Sequence, residues 1–150
     1  MADVPTWSEV RRLVARELGE PVSDGEPLTS VRRSRMTWAA RAPGAGPIVV
    51  KIRDSDEGRA QDKTRWCAAH LPVLAARGYP APTILCQGMV GDGWHVFVQH
   101  RLPGRPLTSL DGPMPAALLR LVELQADAGI AAGERDFAGY LANVLFDDWE

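Results

Sequence analysis

Hydrophobic and polar positions divide the chain into three stretches with different periods. In the first stretch, apolar residues recur at helical spacing, namely Trp7, Val10, Leu13, Val14 and Leu18. Thr6 comes just before the first of these apolar residues, and Glu9 lies three residues after Thr6. This is the pattern of a capping box. Gly19 follows the last apolar position and is a typical helix stop. The pattern predicts a short N-terminal helix that packs as an outer flap.

The second stretch begins at Pro27 with strand-like segments. "PLTSVRRS" and "RMTWAARA" predict two strands, and "PGAG" at 43–46 predicts a hairpin into a third strand, "GPIVVKIRD". Period-2 alternation in this third strand places Ile48, Val50 and Ile52 on one face, with Lys51 on the other. The segments predict three consecutive antiparallel strands.

A helical insert follows the third strand. Ser55 is a candidate N-cap and Gly78 a candidate stop, while Pro72 predicts a kink or two abutting helical segments near Leu71. "TILCQGMV" and "WHVFVQHRL" flank Gly91-Asp92-Gly93, a hairpin signal. The fold class is therefore α+β, with a five-stranded antiparallel sheet, one helix inserted between the third and fourth strands, a short helix before the sheet and helices after it.

The third stretch is helical. A Pro/Gly-rich connector leads into "PAALLRLVELQADAG", where Pro115 suits the first turn, and a second helix is expected to begin at Asp136. This last helix has no stop signal before Glu150, so we expect the chain to be cut there. The patterns suggest three domains: 1–26 as a helical flap, 27–102 as a sheet-containing lobe, and 103–150 as a connector with the first helices of an incomplete second lobe.

Charge and composition exclude several classes of function. The 150 residues carry a net charge of −2 with a pI near 5.9, and the arginines are scattered among acids, so nucleic acid is not expected as a partner. No apolar run reaches the roughly 20 residues that span a bilayer, and no signal-peptide pattern opens the chain, so we expect a cytoplasmic protein without a membrane partner. Cys67 and Cys86 lack metal-like spacing, and no metal site is predicted.

Lysine is rare in this chain. Fifteen arginines but only two lysines, Lys51 and Lys63, make up the 17 basic residues. Arginine would serve wherever a positive charge alone was needed, so the apolar strand around Lys51 suggests a site that requires a compact ammonium. The alternative is an edge-strand lysine that prevents pairing between sheets.

The order of elements resembles the N-terminal lobe of the protein-kinase-like fold, and within it the aminoglycoside phosphotransferase family. The matching segments are "VVKI" at 49–52, "LAARGYPAPTIL" at 74–85 and "VFVQHRLPGRPL" at 96–107. The resemblance implies that Lys51 contacts the α and β phosphates of ATP and is oriented by an acid on the following helix. The position where the family often has glutamate falls near Cys67, and the nearest acids upstream are Asp62 and Glu57. Each of these acids is equally compatible with a solvated helix face.

The resemblance also implies a nucleotide-covering turn and a hinge. The turn is "VRRSRM" at 31–36, where Ser34 and Arg32 are candidates for phosphate contacts; it has no glycine and is equally compatible with a basic exposed turn. In the hinge, Gln99 takes the gatekeeper position. The His100 carbonyl is then expected to accept from the adenine amino group, and the Leu102 N–H to donate to a ring nitrogen.

The family's catalytic residues have no counterpart in this sequence. An H-x-D-x-x-x-x-N segment does not occur, so no catalytic residue is assigned, and the ligands of Mg²⁺ are expected beyond residue 150. The resemblance implies an ATP-dependent phosphotransferase that transfers the γ-phosphoryl group to a small-molecule hydroxyl. This chain would carry only the ATP-binding part, be inactive alone, and self-associate through exposed helices. The alternative is a non-catalytic module that binds nucleotide or protein.

Overall fold

A computed structural model of the chain describes residues 3–28, 35–54, 60–91, 93–103 and 114–131. Within these residues the chain forms three helices and five strands. In chain order they are α1 (Trp7–Leu18), β1 (Glu26–Leu28), β2 (Arg35–Ala42), β3 (Gly46–Asp54), α2 (Ala60–Ala76), β4 (Ile84–Val90), β5 (Trp94–His100) and α3 (Met114–Ala131).

The five strands form one antiparallel sheet in the order β1-β2-β3-β5-β4. Hairpins join β2 to β3 and β4 to β5, while α2 lies in sequence between β3 and β4. This arrangement confirms the predicted α+β fold with one helix inserted in a five-stranded antiparallel sheet.

The two faces of the sheet differ in character because side chains alternate along each strand. On the face that we call the core face, Ile48, Val50 and Ile52 of β3 are fully buried. Val98 and Val96 of β5 lie opposite Val50 and Ile52 and are buried with them. The other face of β3 carries Lys51 between Val49 and Arg53.

Helix α1 packs into the core cluster on the core face. Its inward residues Val10, Leu13 and Val14 are buried and belong to the same hydrophobic cluster as the sheet. Leu13 lies so close to β4 that a Cβ on Gly88 would come within 3.3 Å of it. The α1 helix is therefore part of the core that supports the sheet.

The ends of α1 follow the predicted signals. The Thr6 N–H donates to the Glu9 carboxylate at 2.8 Å, and the Glu9 N–H donates to Thr6 Oγ1 at 3.4 Å, which confirms the capping box. Gly19 ends the helix with φ +71, in the left-handed region that glycine adopts without strain.

The chain divides into two compact units, one comprising Met1–Leu71 with Pro82–Pro103 and the other Pro72–Ala81 with Gly104–Glu150. Helix α2 continues through Pro72, so the alternative of two abutting segments is wrong, although the proline cannot donate the usual helical hydrogen bond. Gly78 has φ +85 and follows the end of the helix, as predicted. The three-domain division stays a prediction.

In the second unit, α3 begins just before Pro115, as expected for a proline in a first turn. Leu118, Leu119 and Val122 on this helix are exposed. The candidate cap Ser55 and the helix expected from Asp136 lie outside the described residues. No helix in the described part of the chain is long and apolar enough to cross a membrane.

Candidate functional site

Lys51 lies on the central part of the sheet. Strand β3 pairs with β2 on one side and with β5 on the other. A lysine that guards a sheet against further pairing belongs on an edge strand, where N–H and C=O groups are unpaired. The edge-strand interpretation of Lys51 is therefore wrong.

A cleft opens beside Lys51 on the face of the sheet opposite the core. Its volume is about 210 Å³, and we call it the Lys51 cleft. The residues that line it are Lys51, Arg53, Cys67, Leu71, Pro82, Phe97 and Gln99. All of them belong to the first compact unit, so the cleft lies within one folded body.

Strand register explains why β3 and β5 supply four of these residues. Val49 lies opposite Gln99 and Lys51 lies opposite Phe97. Directly opposed residues share a face of the sheet, and so do residues two apart on one strand. Gln99 and Lys51 are thus diagonal neighbours, and the structure brings together these two predicted site residues.

The Lys51 ammonium is partly withdrawn from water. Burial lowers its pKa, and the charge of Arg53 lowers the pKa further, while Cys67 acts in the opposite direction. None of the described residues that line the cleft is an acid. The cleft therefore presents two cationic side chains, and a negatively charged ligand would restore the balance of charge.

His95 is buried beside this cationic pair. It lies opposite Arg53 in the register of β3 and β5. Burial lowers the pKa of His95, and the Arg53 charge lowers it further, so the imidazole is neutral at pH 7. His95 therefore adds no third positive charge next to the cleft.

The predicted hinge begins at the end of β5. The His100 N–H donates to the Thr83 carbonyl and the Arg101 N–H donates to the Pro47 carbonyl, each at 2.9 Å. Leu102 follows with a side chain that is 44% exposed, and no described residue accepts a hydrogen bond from its N–H. The hinge backbone at residue 102 thus retains a free donor within the described part of the chain.

The remaining predicted site residues are the candidate phosphate contacts before β2 and the candidate acidic partners of Lys51. Ser34, Arg32 and Glu57 lie outside the described residues. Asp62 belongs to α2, and its side chain lies outside the described part of the structure. Across the described ranges no group of three or more His, Cys, Asp or Glu side chains is placed to hold a metal ion.

Sequence patterns did not single out Arg53, Cys67 or Phe97 as site residues. Alternation along β3 and β5 could have assigned Arg53 and Phe97, because it places them on the faces that carry Lys51 and Gln99. Cys67 lies four residues before Leu71, so the two share one side of α2. Only the packing of α2 over the sheet shows that this side meets the cleft.

No protein-family model matches the chain, and no curated protein matches it in sequence. In structure, the chain is similar to a thermostable mutant of aminoglycoside phosphotransferase APH(4)-Ia, crystallised as a ternary complex with ADP and hygromycin B. The two share 22% identity with a TM-score of 0.54 over 80% of this chain and 38% of that one. A protein described as fructosamine-3-kinase, from Haemophilus somnus, matches with 18% identity and a TM-score of 0.49 over 68% of this chain and 34% of its own.

The first of these similarities confirms the kinase-like fold expected from the sequence. The chain spans about 38% of the length of the phosphotransferase structure that it matches.

Proposed function

We propose that this chain is the ATP-binding lobe of a kinase-like phosphotransferase, which transfers the γ-phosphoryl group of ATP to a hydroxyl of a small molecule. The observation that carries the proposal is the half-buried Lys51 ammonium in a cleft with a second cation, Arg53, and no acid among its described lining residues. A charge kept in such a place costs stability, and this cost is typical of functional sites.

The chemistry of the cleft favours a phosphate chain over a neutral ligand. An ammonium with three donors can contact several phosphate oxygens, and a guanidinium beside it can bind two oxygens of one phosphate. The volume of about 210 Å³ lies below the roughly 300–1,000 Å³ of complete ligand pockets. The cleft would therefore hold the phosphate end of the nucleotide, with adenine beyond it.

Adenine would lie against the hinge at residues 100–102. The N–H groups of His100 and Arg101 are occupied by backbone carbonyls, whereas the Leu102 N–H has no acceptor among the described residues and would donate to a ring nitrogen. The His100 carbonyl would accept from the amino group. Arg32 and Ser34, from the turn before β2, complete the proposed set as phosphate contacts.

Magnesium does not fit the described residues of the cleft. Mg²⁺ is bound by carboxylates and phosphate oxygens, and the described lining contains no carboxylate. None of the binding roles proposed for these residues involves the metal. Lys51 and Arg53 would instead bind and orient the phosphates directly.

The acceptor is proposed to be a polyhydroxylated small molecule of the aminoglycoside type. The support is the phosphotransferase structure that shares this fold, because it was crystallised with ADP and hygromycin B together. None of the residues that line the Lys51 cleft is assigned to the acceptor.

A non-catalytic nucleotide-binding module is the second candidate. None of these 150 residues is assigned to accept the hydroxyl proton, a role that an H-x-D-x-x-x-x-N segment fills in kinases. Both candidates require nucleotide binding at Lys51, and they differ in whether phosphoryl transfer follows.

Titration calorimetry of the purified chain with ATP tests the shared requirement. We expect binding that is lost in Lys51→Met and retained in Lys63→Met, which removes the only other lysine of the chain. Equal ATP affinity in the wild type and in Lys51→Met would refute the proposed site. Both candidates predict binding without product from these 150 residues alone, so incubation with γ-labelled ATP, magnesium and hygromycin B is carried out on the protein encoded by the complete reading frame. Labelled antibiotic then supports the enzyme, and binding without product supports the module.

A further inference from the structure

Helix α2 contributes two residues to the Lys51 cleft, Cys67 and Leu71. They are four residues apart and therefore lie on the same side of the helix. Leucine can only pack, so Cys67 is the one described residue of α2 in the cleft whose side chain can ionise or form a hydrogen bond. The Cys67 residue is partly exposed, and the cleft gives solvent a route to it.

The electrostatic relation between Cys67 and Lys51 is specific. Burial and Arg53 disfavour the charged ammonium, whereas Cys67 favours it, because negative charge on the sulfur would attract the ammonium. Among the described residues, the charged groups that share the cleft with Cys67 are Lys51 and Arg53, both on β3. Phe97 and Gln99 face it from β5, and neither of them titrates.

We propose that Cys67 is a positioning residue for Lys51: its sulfur, on the side of α2 that lines the cleft, holds the ammonium in the cleft. A small thiol makes a weak contact, which leaves the ammonium free to bind an anion. The inference rests on the proposed function, because that function gives Lys51 a phosphate to bind. The contact between the two side chains does not require a nucleotide.

The relation is reciprocal, and this makes it measurable. If Cys67 supports the ammonium of Lys51, the ammonium in turn supports the thiolate of Cys67, which is the form that reacts with electrophiles. In alkylation by iodoacetamide, the thiolate sulfur bonds to carbon, iodide leaves, and the thiol proton goes to solvent. The rate of alkylation at Cys67 therefore reports the proximity of Lys51.

Cys86 provides an internal control in the same chain. It lies opposite Val98 and packs against the core cluster, on the other face of the sheet. Burial raises the pKa of Cys86 to about 11, so its thiol reacts slowly at neutral pH. Mass spectrometry after timed exposure to iodoacetamide measures both cysteines in one sample.

We expect Cys67 to react faster than Cys86 in the wild type. Lys51→Met should slow alkylation of Cys67 at neutral pH by about threefold or more, the effect of half a pKa unit or more on the thiolate fraction. The rate at Cys86 should not change, which shows that the variant is folded. Arg12→Met, on α1, should leave both rates as they are. Equal Cys67 rates in the wild type and in Lys51→Met would overturn the inference.

A second measurement reads out positioning through binding of ATP. Cys67→Val replaces the thiol with an apolar group of similar bulk and should weaken ATP binding by about threefold to tenfold, while Cys67→Ser should retain most of the affinity. Unchanged affinity in Cys67→Val would overturn the positioning role.

The two measurements separate this inference from the proposed function. If the wild-type chain binds no ATP, but the alkylation rate of Cys67 depends on Lys51, the function is refuted and the contact is supported. If the chain binds ATP at Lys51, but the alkylation rate of Cys67 is the same with and without Lys51, the function is supported and the inference is refuted.

Discussion

The side chain of Glu20 binds the backbone of the turn that leads into β3. Its carboxylate accepts hydrogen bonds from the Gly44 N–H and, at 3.0 Å, from the Ala45 N–H. A Cβ on Gly44 would lie 2.9 Å from the nearer carboxylate oxygen, so an added methyl group would make the carboxylate shift. The segment after α1 thus fixes the hairpin from which the strand of Lys51 starts.

Replacing Glu20 should destabilise this hairpin. Glu20→Ala removes both acceptors from the turn, and we expect a loss of about 1–3 kcal/mol in the free energy of unfolding, the range for hydrogen bonds with a charged partner. Gly44→Ala should cost less than Glu20→Ala, because the flexible Glu20 side chain can shift to make room for the added methyl group. Urea unfolding followed by tryptophan fluorescence measures both variants.

Glu17 offers a matched control for the Glu20 variants. Its carboxylate pairs with the adjacent Arg16 on the surface of α1, and exposed pairs of this kind contribute roughly 0–1 kcal/mol. Glu17→Ala should therefore change stability much less than Glu20→Ala. Equal losses in the two variants would show that the turn does not depend on Glu20.

The packing of α1 predicts that the N-terminal helix unfolds together with the sheet. Leu13 is 7% exposed and contacts β4, so Leu13→Ala should cost about 2–5 kcal/mol, the usual range for a leucine deleted from a core. Arg12→Ala, at the exposed neighbouring position, is the control and should be close to neutral. Urea unfolding checks the pair, and a loss below about 1 kcal/mol in Leu13→Ala would mean that α1 is peripheral.

Local patterns in the sequence were sufficient for most of the fold. The capping box of Thr6 and Glu9, the stop at Gly19 and the alternation through β3 depend on residues a few positions apart, and each was found as predicted. The same alternation identified the face that carries Lys51. Short-range signals of this kind can be recognised in the sequence without knowledge of the tertiary contacts.

Contacts between distant segments could not be predicted in this way. The "PGAG" pattern indicates a hairpin, but nothing in it shows that Glu20, 24 residues earlier than Gly44, binds the turn. The presence of Cys67 in the lining of the Lys51 cleft likewise depends on where α2 lies relative to β3 and β5. Propensity and periodicity describe single elements, whereas these contacts depend on packing between elements.

The lowered pKa of Lys51 predicts how stability depends on pH. Because burial makes the pKa lower in the folded than in the unfolded chain, the folded chain binds fewer protons at this site. The resulting loss of stability is complete below the folded pKa and disappears as the pH rises through the unfolded value of 10.5. At neutral pH the ammonium therefore destabilises the fold.

Lys51→Met should raise the melting temperature at neutral pH while it abolishes ATP binding. The gain should shrink as the pH approaches 10.5, where the wild-type lysine loses its charge in both states. Thermal unfolding of both proteins over this pH range is the measurement, with Lys63→Met as the control for a lysine elsewhere. A variant less stable than the wild type at neutral pH would contradict the burial of an unfavourable charge.

The N–H at residue 102, which has no acceptor within the described ranges, gives the sharpest test of the hinge. Leu102→Pro removes this donor, and Leu102→Ala keeps it while it removes the exposed side chain. If the N–H donates to adenine, the proline variant should bind ATP about tenfold or more weakly, and the alanine variant should bind nearly as well as the wild type. Inorganic tripolyphosphate has no base, so its affinity for the Lys51 cleft should be the same in all three proteins. This last comparison separates loss of the adenine contact from misfolding of β5, because a disturbed strand would weaken both ligands. Equal ATP affinity in the proline and alanine variants would show that adenine is not bound through residue 102.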